Sequence, residues 1–447
     1  MTSGWLRSAR RTSAVSIAVL LVGAGIPSAA AAQGGGLPTL SDAGLEYLSR
    51  TGFLQVTLSG QLDLEALHVG RGRWAGLVGG ESADSVPADW MTACADCHRT
   101  EGVAPRGKGG TIVAPRLRTF ADVFVGDHLY ALVEGRLDRG HAPARGSFRA
   151  RVEQAYVRLS TTGGSVALQV GRFASPFGSY ASRHLTPADP FLRPPLAYDY
   201  RTVMNRSHAP PGAAGFLTWR NWPELFRLPG VPPVWDVPYQ WGTMALAAFG
   251  PMELRAAAMS GAPSSAPDAW ELSKDRLKHP SWVLGMRVRA TPSLELGASY
   301  DRGPWLEEIT AGTLPVPRSR WDFDQELMSG DLSFARGAWV LRGEVVLDRW
   351  EVPNLPDRPT EIAYGAEAQV DVAAGWSAAA RVGYVDFRPL AGGPSGSTDW
   401  DRDVVRAEGS LGYRVVRNAG VLLSGYWQDA GSGGDTVLSG LRLWWAF

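Results

Sequence analysis

The chain is poor in cysteine, in lysine and in long apolar runs, and it has no net charge. Its 447 residues hold 2 cysteines, Cys94 and Cys97. They lie within one short motif, which excludes a larger disulfide framework. The balance of 44 basic and 44 acidic residues removes any bulk attraction to nucleic acid. Lysine occurs only at Lys108, Lys274 and Lys278, so nearly all the basic charge is arginine. That bias has two readings, a biased genomic base composition, which is favoured, and an arginine-lined pore. Beyond residue 32 no stretch approaches the roughly 18 apolar residues of a membrane helix.

The N-terminus reads as a processing signal. Arg7, Arg10 and Arg11 precede an apolar stretch from Ser13 to Ile26, and Ala30-Ala31-Ala32 stand before Gln33. A charged start, a short apolar centre and small residues at the end form a secretory signal peptide, expected over residues 1–32. Residues 33–52 then read as an N-terminal periplasmic segment ahead of the first strand.

What the chain has in plenty is period-2 alternation. Leu54, Val56, Leu58, Leu62 and Leu64 share one face, and Gln55, Thr57, Ser59, Gln61, Asp63 and Glu65 share the other. A strand sorts this pattern and a helix cannot. The rhythm returns at 282–289, 294–301, 362–372 and 405–414. Short connections near Gly126-Asp127, Thr161 to Gly164, Gly250-Pro251, Thr291-Pro292, Arg336-Gly337, Ala374-Gly375 and Arg417 to Ala419 alternate with long ones near 70–115, 139–148, 176–238, 262–280, 303–321, 351–359, 388–400 and 429–434. Short turns on one side and long loops on the other are the asymmetry of outer-membrane barrels. The fold expected over 53–447 is therefore all-β: a transmembrane antiparallel β-barrel of about 16 strands, in contact with outer-membrane lipid. Its mean hydropathy of −0.10 does not separate such a barrel from a soluble protein, because lipid-facing and lumen-facing residues average out near neutral. The 53 glycines and 18 tryptophans suit tight turns and aromatic girdles. The last strand, with Val437, Leu441, Leu443, Trp445 and Phe447 on one face, ends on an aromatic residue, as barrel-assembly signals do.

The run Glu153-Gln154-Ala155-Tyr156-Val157-Arg158-Leu159, a small turn, then Leu168-Gln169-Val170-Gly171-Arg172-Phe173 and Pro176-Phe177-Gly178 resembles the phosphate-selective porin family. The resemblance implies a trimeric, general or anion-selective channel for small hydrophilic solutes. It also implies a constriction built by the third long loop, within 176–238. With three lysines the family's lysine-rich phosphate ladder is not evident, so phosphate selectivity does not transfer.

Cys94-Ala95-Asp96-Cys97-His98 matches C-x-x-C-H, the attachment site of c-type haem. Two thiols at this spacing add to the two haem vinyl groups, and the adjacent histidine meets one axial face of the iron. Cys94 and Cys97 are thus the expected covalent sites of one haem c, with His98 as proximal ligand. A disulfide or redox pair is the rival reading and gives His98 no role; zinc is weaker, since no second ligand pair follows at suitable spacing. The insertion 70–115 follows the first strand and is too short for a complete cytochrome domain, so other loops would have to pack the haem. Met91 is too near Cys94 to serve as sixth ligand. His68, His141, His184, His208, His279 and Met204 fall at loops or strand tops, with His141, His184 and His208 the preferred distal candidates. His128 falls at a short turn. Three functions stay open: electron transfer at or across the outer membrane with a partner cytochrome, a passive channel whose haem-motif loop is a plug or disulfide, and a peroxidase-like enzyme.

Overall fold

The computed structural model describes residues 45–48, 53–71, 110–139, 148–185, 188–221, 230–393, 396–431 and 435–447. Within them the chain forms a closed antiparallel barrel of sixteen strands. In order these are β1 (Leu54–Arg71), β2 (Gly110–Val125), β3 (Leu129–Asp138), β4 (Arg149–Ser160), β5 (Val166–Ala174), β6 (Tyr239–Phe249), β7 (Met252–Met259) and β8 (Ser281–Thr291). The second half is β9 (Leu294–Pro304), β10 (Asp324–Arg336), β11 (Trp339–Trp350), β12 (Thr360–Ala373), β13 (Trp376–Phe387), β14 (Val404–Val416), β15 (Ala419–Asp429) and β16 (Thr436–Ala446). Each pairs with its sequence neighbour, and β16 returns to β1 from Val437↔Arg71 to Ala446↔Gln61. Where β16 runs out, Leu45–Leu48 continues the same edge of β1, from Leu45↔Leu58 to Leu48↔Gln55. Part of the segment read as lying ahead of the barrel is thus stitched to its first strand.

The expected turns fall where the glycines are. Gly126, Gly250, Gly337 and Gly375 take φ of +55°, +56°, +60° and +77° in the short connections, a region that a residue without Cβ enters cheaply. Strand alternation then sorts the side chains. Leu62, Leu64, Leu168, Val170, Leu284, Met286, Leu441 and Leu443 point outward and are exposed. Outward aromatics gather toward the ends: Trp376 lies 4.7 Å from Tyr413 and Trp445 lies 5.4 Å from Phe447.

The inside departs from one expectation. Several tryptophans belong to no girdle: Trp270, Trp305, Trp350 and Trp400 are buried within the barrel, in one apolar core with Phe177, Tyr180, Tyr198, Met204, Phe216 and Phe387. Most of that core comes from long loops, and a fully buried side chain of this size contributes roughly 1.5–3 kcal/mol. Period-2 reading is blind to Trp270, Trp305 and Trp400 because they lie outside the strands. The third long loop, 175–238, supplies the largest share and crosses the lumen.

Hydrogen bonds tie this loop to the far wall. Gly178 N donates to Ser299 Oγ at 2.9 Å, and Ser179 N and the Tyr198 hydroxyl both donate to Glu344 Oε1, at 2.9 and 2.8 Å. Arg183 pairs with Glu367 at 3.1 Å and Arg406 with Asp199 at 2.8 Å. On the near wall Leu192 fits over Gly440, where an added Cβ would lie 2.7 Å from Leu192 Cδ1 and 2.8 Å from the Ala66 carbonyl. Gly440→Val should therefore destabilise the folded barrel by about 1–3 kcal/mol through overpacking. The urea midpoint of the protein refolded into lipid vesicles measures this, and an unchanged midpoint would show that the loop does not rest on that wall.

Candidate functional site

The polar faces of β1 to β4 and β16 meet the third loop across the lumen. Alternate residues point the same way, so Asp63 and Glu65 on β1, Arg116 and Arg118 on β2, Glu134, Arg136 and Asp138 on β3, and Arg151 and Glu153 on β4 all face inward beside Arg442 of β16. Glu65, Arg116, Arg136, Asp138, Arg151, Glu153 and Arg442 form one ion-pair network, with Arg118–Glu134 as a separate pair beside it. Arg442 meets Glu65 at 2.9 Å, Arg118 meets Glu134 at 3.1 Å, and Arg116 bridges Glu65 (3.5 Å) and Asp138 (3.3 Å). Arg136 reaches Asp138 at 2.5 Å and Glu153 at 3.4 Å, while Arg151 reaches Asp138 at 2.9 Å. Mutual pairing is what makes so many buried charges tolerable, since removing one partner would leave a buried charge uncompensated.

Between this wall and the loop lies a cavity of about 120 Å³. The wall contributes Arg116, Arg118, Arg136 and Arg442 against one carboxylate, Glu65. The loop contributes Asp189, Asp199 and Asp236 against Arg193 and Arg201. The lining therefore carries an excess of three positive charges on the wall and one negative charge on the loop. Asp189 also borders a second cavity, of about 340 Å³, which lies beside Gln369, Asp371, Ser377 and Trp444 at the short-turn end. Asp189 and its neighbours thus separate an inner chamber from one nearer the mouth.

Loop charges are tuned by this setting. Burial pushes the Asp199 carboxyl up, but Arg193 and Arg406 outweigh it and hold the group below its ordinary value. For Asp189 burial wins over Arg381 and Arg183, and its carboxyl is raised. His184 is pushed down to about 3 by burial and then by the Arg118 guanidinium.

The placement of the sequence-derived haem residues is uneven. Cys94, Cys97, His98 and His141 lie outside the described residues, as does Met91. β1 ends at Arg71 and β2 begins at Gly110, so both strands are present on either side of the motif in the sequence. His184 lines the cavity with both ring nitrogens engaged: Nδ1 donates to the Ala181 carbonyl at 2.7 Å, and Nε2 accepts from the Tyr239 hydroxyl at 2.7 Å and from Arg118 at 3.3 Å. His208 sits elsewhere, bridged to Ala311 of the fifth long loop, with Nδ1 2.9 Å from Asn205 Oδ1. His68 bonds Thr111 at 3.1 Å, His279 stacks on Trp321, His128 bonds the Ser160 carbonyl at a short turn, and Met204 is fully buried. Among the described residues no group of three or more His, Cys, Asp or Glu is arranged to hold a metal ion. The arginine wall, by contrast, was not singled out from sequence; its signal is the i, i+2 spacing of Asp63 with Glu65 and of Arg116 with Arg118.

At the level of sequence no protein family and no curated protein matches this chain. Solved structures do. OprB of Pseudomonas putida superposes with a TM-score of 0.51 at 12% identity, covering 88% of this chain and 94% of that one. The outer membrane channel DcaP of Acinetobacter baumannii gives 0.50 at 11%, covering 90% and 99%. OmpT of Vibrio cholerae, in a trimer form, gives 0.50 at 11%, covering 88% and 99%. The fold is a porin fold. The third loop inside the barrel agrees with what the resemblance implied.

A pH test follows from His184. Its depressed value means that the neutral ring is the one accommodated, so docking of the loop is fully supported above pH 6.5 and loses support as pH falls toward 3. Limited proteolysis within 175–238 should rise between pH 6.5 and 4 in the parent, and His184→Asn should flatten that rise. An identical profile in the variant would show that another group governs docking.

Proposed function

We propose that this chain is an outer-membrane channel for passive diffusion of small hydrophilic solutes, exported by a signal peptide at residues 1–32 and assembled as a homotrimer. One observation carries the reading: the third long loop folds inside a closed barrel and, beside its apolar core, leaves a narrow, charge-lined cavity against β1 to β4. The apolar outer face with aromatic ends suits a bilayer, and the porin fold of the neighbours agrees. Separation of charge between wall and loop gives a transverse field across this cavity, which favours polar and dipolar solutes and excludes apolar ones. The cavity lining has six arginines and four carboxylates, so its excess of two positive charges gives a modest anion preference. Phosphate selectivity is no part of the proposal.

In planar bilayers the protein should give discrete conductance steps, with a zero-current potential in a KCl gradient displaced toward chloride. Arg442→Gln should shift that potential toward potassium. A folded, heat-modifiable protein that never conducts would overturn the channel.

The Cys94–His98 motif supports a second reading, in which the same barrel carries one covalent haem c held by Cys94 and Cys97, with His98 on the iron. When bound, that group would supply one-electron exchange with a partner cytochrome. A single haem spans little of a hydrocarbon layer roughly 30 Å thick, so transfer across the membrane would need such a partner. Protein made in a host able to mature c-type cytochromes should give a haem-staining band that survives boiling in detergent. His98→Ala should abolish the stain and leave the barrel assembled. An unstained parent band would leave the passive channel alone, with the cysteines as a disulfide.

A further inference from the structure

We infer that the short-turn mouth of the lumen holds a docking track for small carboxylates that carry an aromatic ring; this rests on the channel reading above. Four inward-facing rings form a row across β2 to β5. Phe124 lies 4.9 Å from Tyr130, Tyr130 lies 6.0 Å from Tyr156, and Tyr156 lies 6.2 Å from Phe173. The row begins beside the Gly126 turn, where Phe124 is 40% exposed, and ends at Phe173, which is 1% exposed at the base of the third loop. Tyr130 and Tyr156 are half-buried, with surface left to offer.

The neighbouring backbone is shaped for this row. Gly171 stands opposite Tyr156 with φ +138°, and a Cβ there would fall 2.3 Å from the Ala155 carbonyl and 2.9 Å from Tyr156 Cβ. No other residue type fits beside the ring without strain.

Arg158 completes the track. Its guanidinium lies 5.9 Å from the Tyr130 ring centre and 5.8 Å from that of Tyr156, and it donates to Gln169 Oε1 at 3.0 and 2.6 Å. Unlike Arg118, Arg136, Arg151 and Arg442, it has no carboxylate partner among the described residues. The nearby Asp122 carboxylate accepts the Tyr130 hydroxyl at 2.5 Å. A half-buried arginine with an unpaired charge, resting on two aromatic faces, is a point of attachment for a carboxylate. The rings on either side extend that attachment to a planar apolar body, which stacks edge-to-face or offset on phenylalanine and tyrosine. Acetate satisfies only the first demand and benzyl alcohol only the second.

Equilibrium dialysis of labelled benzoate against the full-length protein, folded in a detergent without aromatic groups, tests the inference. Benzoate should bind at least about tenfold more tightly than acetate or benzyl alcohol, the scale set by a charge-assisted contact plus stacking. Arg158→Gln, which keeps an amide for Gln169, should weaken benzoate about tenfold and leave benzyl alcohol unaffected. Tyr130→Leu should weaken benzoate severalfold, and Tyr130→Phe, which restores the ring, should recover most of the loss. Equal binding of benzoate and acetate, or benzoate binding indifferent to Arg158→Gln, would overturn the track. Chloride conductance of the same preparation is read separately: a conducting protein that ignores benzoate sinks only this inference, and a benzoate-binding protein that never conducts sinks only the channel.

Discussion

Closure of β16 onto β1 is the constraint from which the rest follows. A sheet of this length left open would expose two rows of unpaired N–H and C=O groups, whereas the ring leaves none. Along the paired registers the backbone groups of the wall are then satisfied by a neighbouring strand, the condition for a β-structure to stand in hydrocarbon. Closure also fixes what each side chain meets. With a period of two and no edge, alternate residues have no choice but lumen or exterior, so Leu62 and Leu64 face out while Asp63 and Glu65 face in.

A ring of sixteen strands encloses more space than its own side chains can fill, and the third loop occupies much of it. Its packing is of two kinds. Toward the long-loop end it joins Trp270, Trp305, Trp350 and Trp400 in an apolar core, and toward β1–β4 it stops short and leaves charged cavity walls. The use of arginine suits this division. Its planar fork holds carboxylates with less hydration to lose than lysine, so a wall such as Arg118–Glu134 and Arg442–Glu65 can be both buried and charged. On the proposed channel reading, the same residues that make the wall tolerable set the field that a solute meets.

How much of this was legible in the sequence depends on whether a residue sits in a strand. Strand alternation and turn glycines marked the barrel almost completely, since both follow from backbone geometry that one residue imposes on the next. The tryptophan count suited aromatic girdles but did not reveal the inner tryptophans, because Trp270, Trp305 and Trp400 lie in loops with no period to show their side. The inward course of residues 175–238 came through family resemblance, since nothing in the loop's own composition distinguishes packing inside a barrel from lying above it. The arginine wall was visible as spacing, but composition offered a simpler account of arginine abundance, and only closure of the ring shows that Arg116, Arg118, Arg136 and Arg442 converge. His184, one of three distal candidates with His141 and His208, holds the loop to Arg118 and Tyr239 in this structure, a pairing made by residues 66 and 55 positions away.

The central claim is that the third loop defines the passage. Replacing residues 179–236 by a short Gly-Ser turn leaves β5 and β6 joined and the ring of strands intact. Single-channel conductance of that variant in planar bilayers is the most direct measurement. The account predicts a severalfold rise together with loss of the displacement toward chloride. Conductance and selectivity unchanged from the parent would place the passage somewhere other than between Asp189 and the arginine wall.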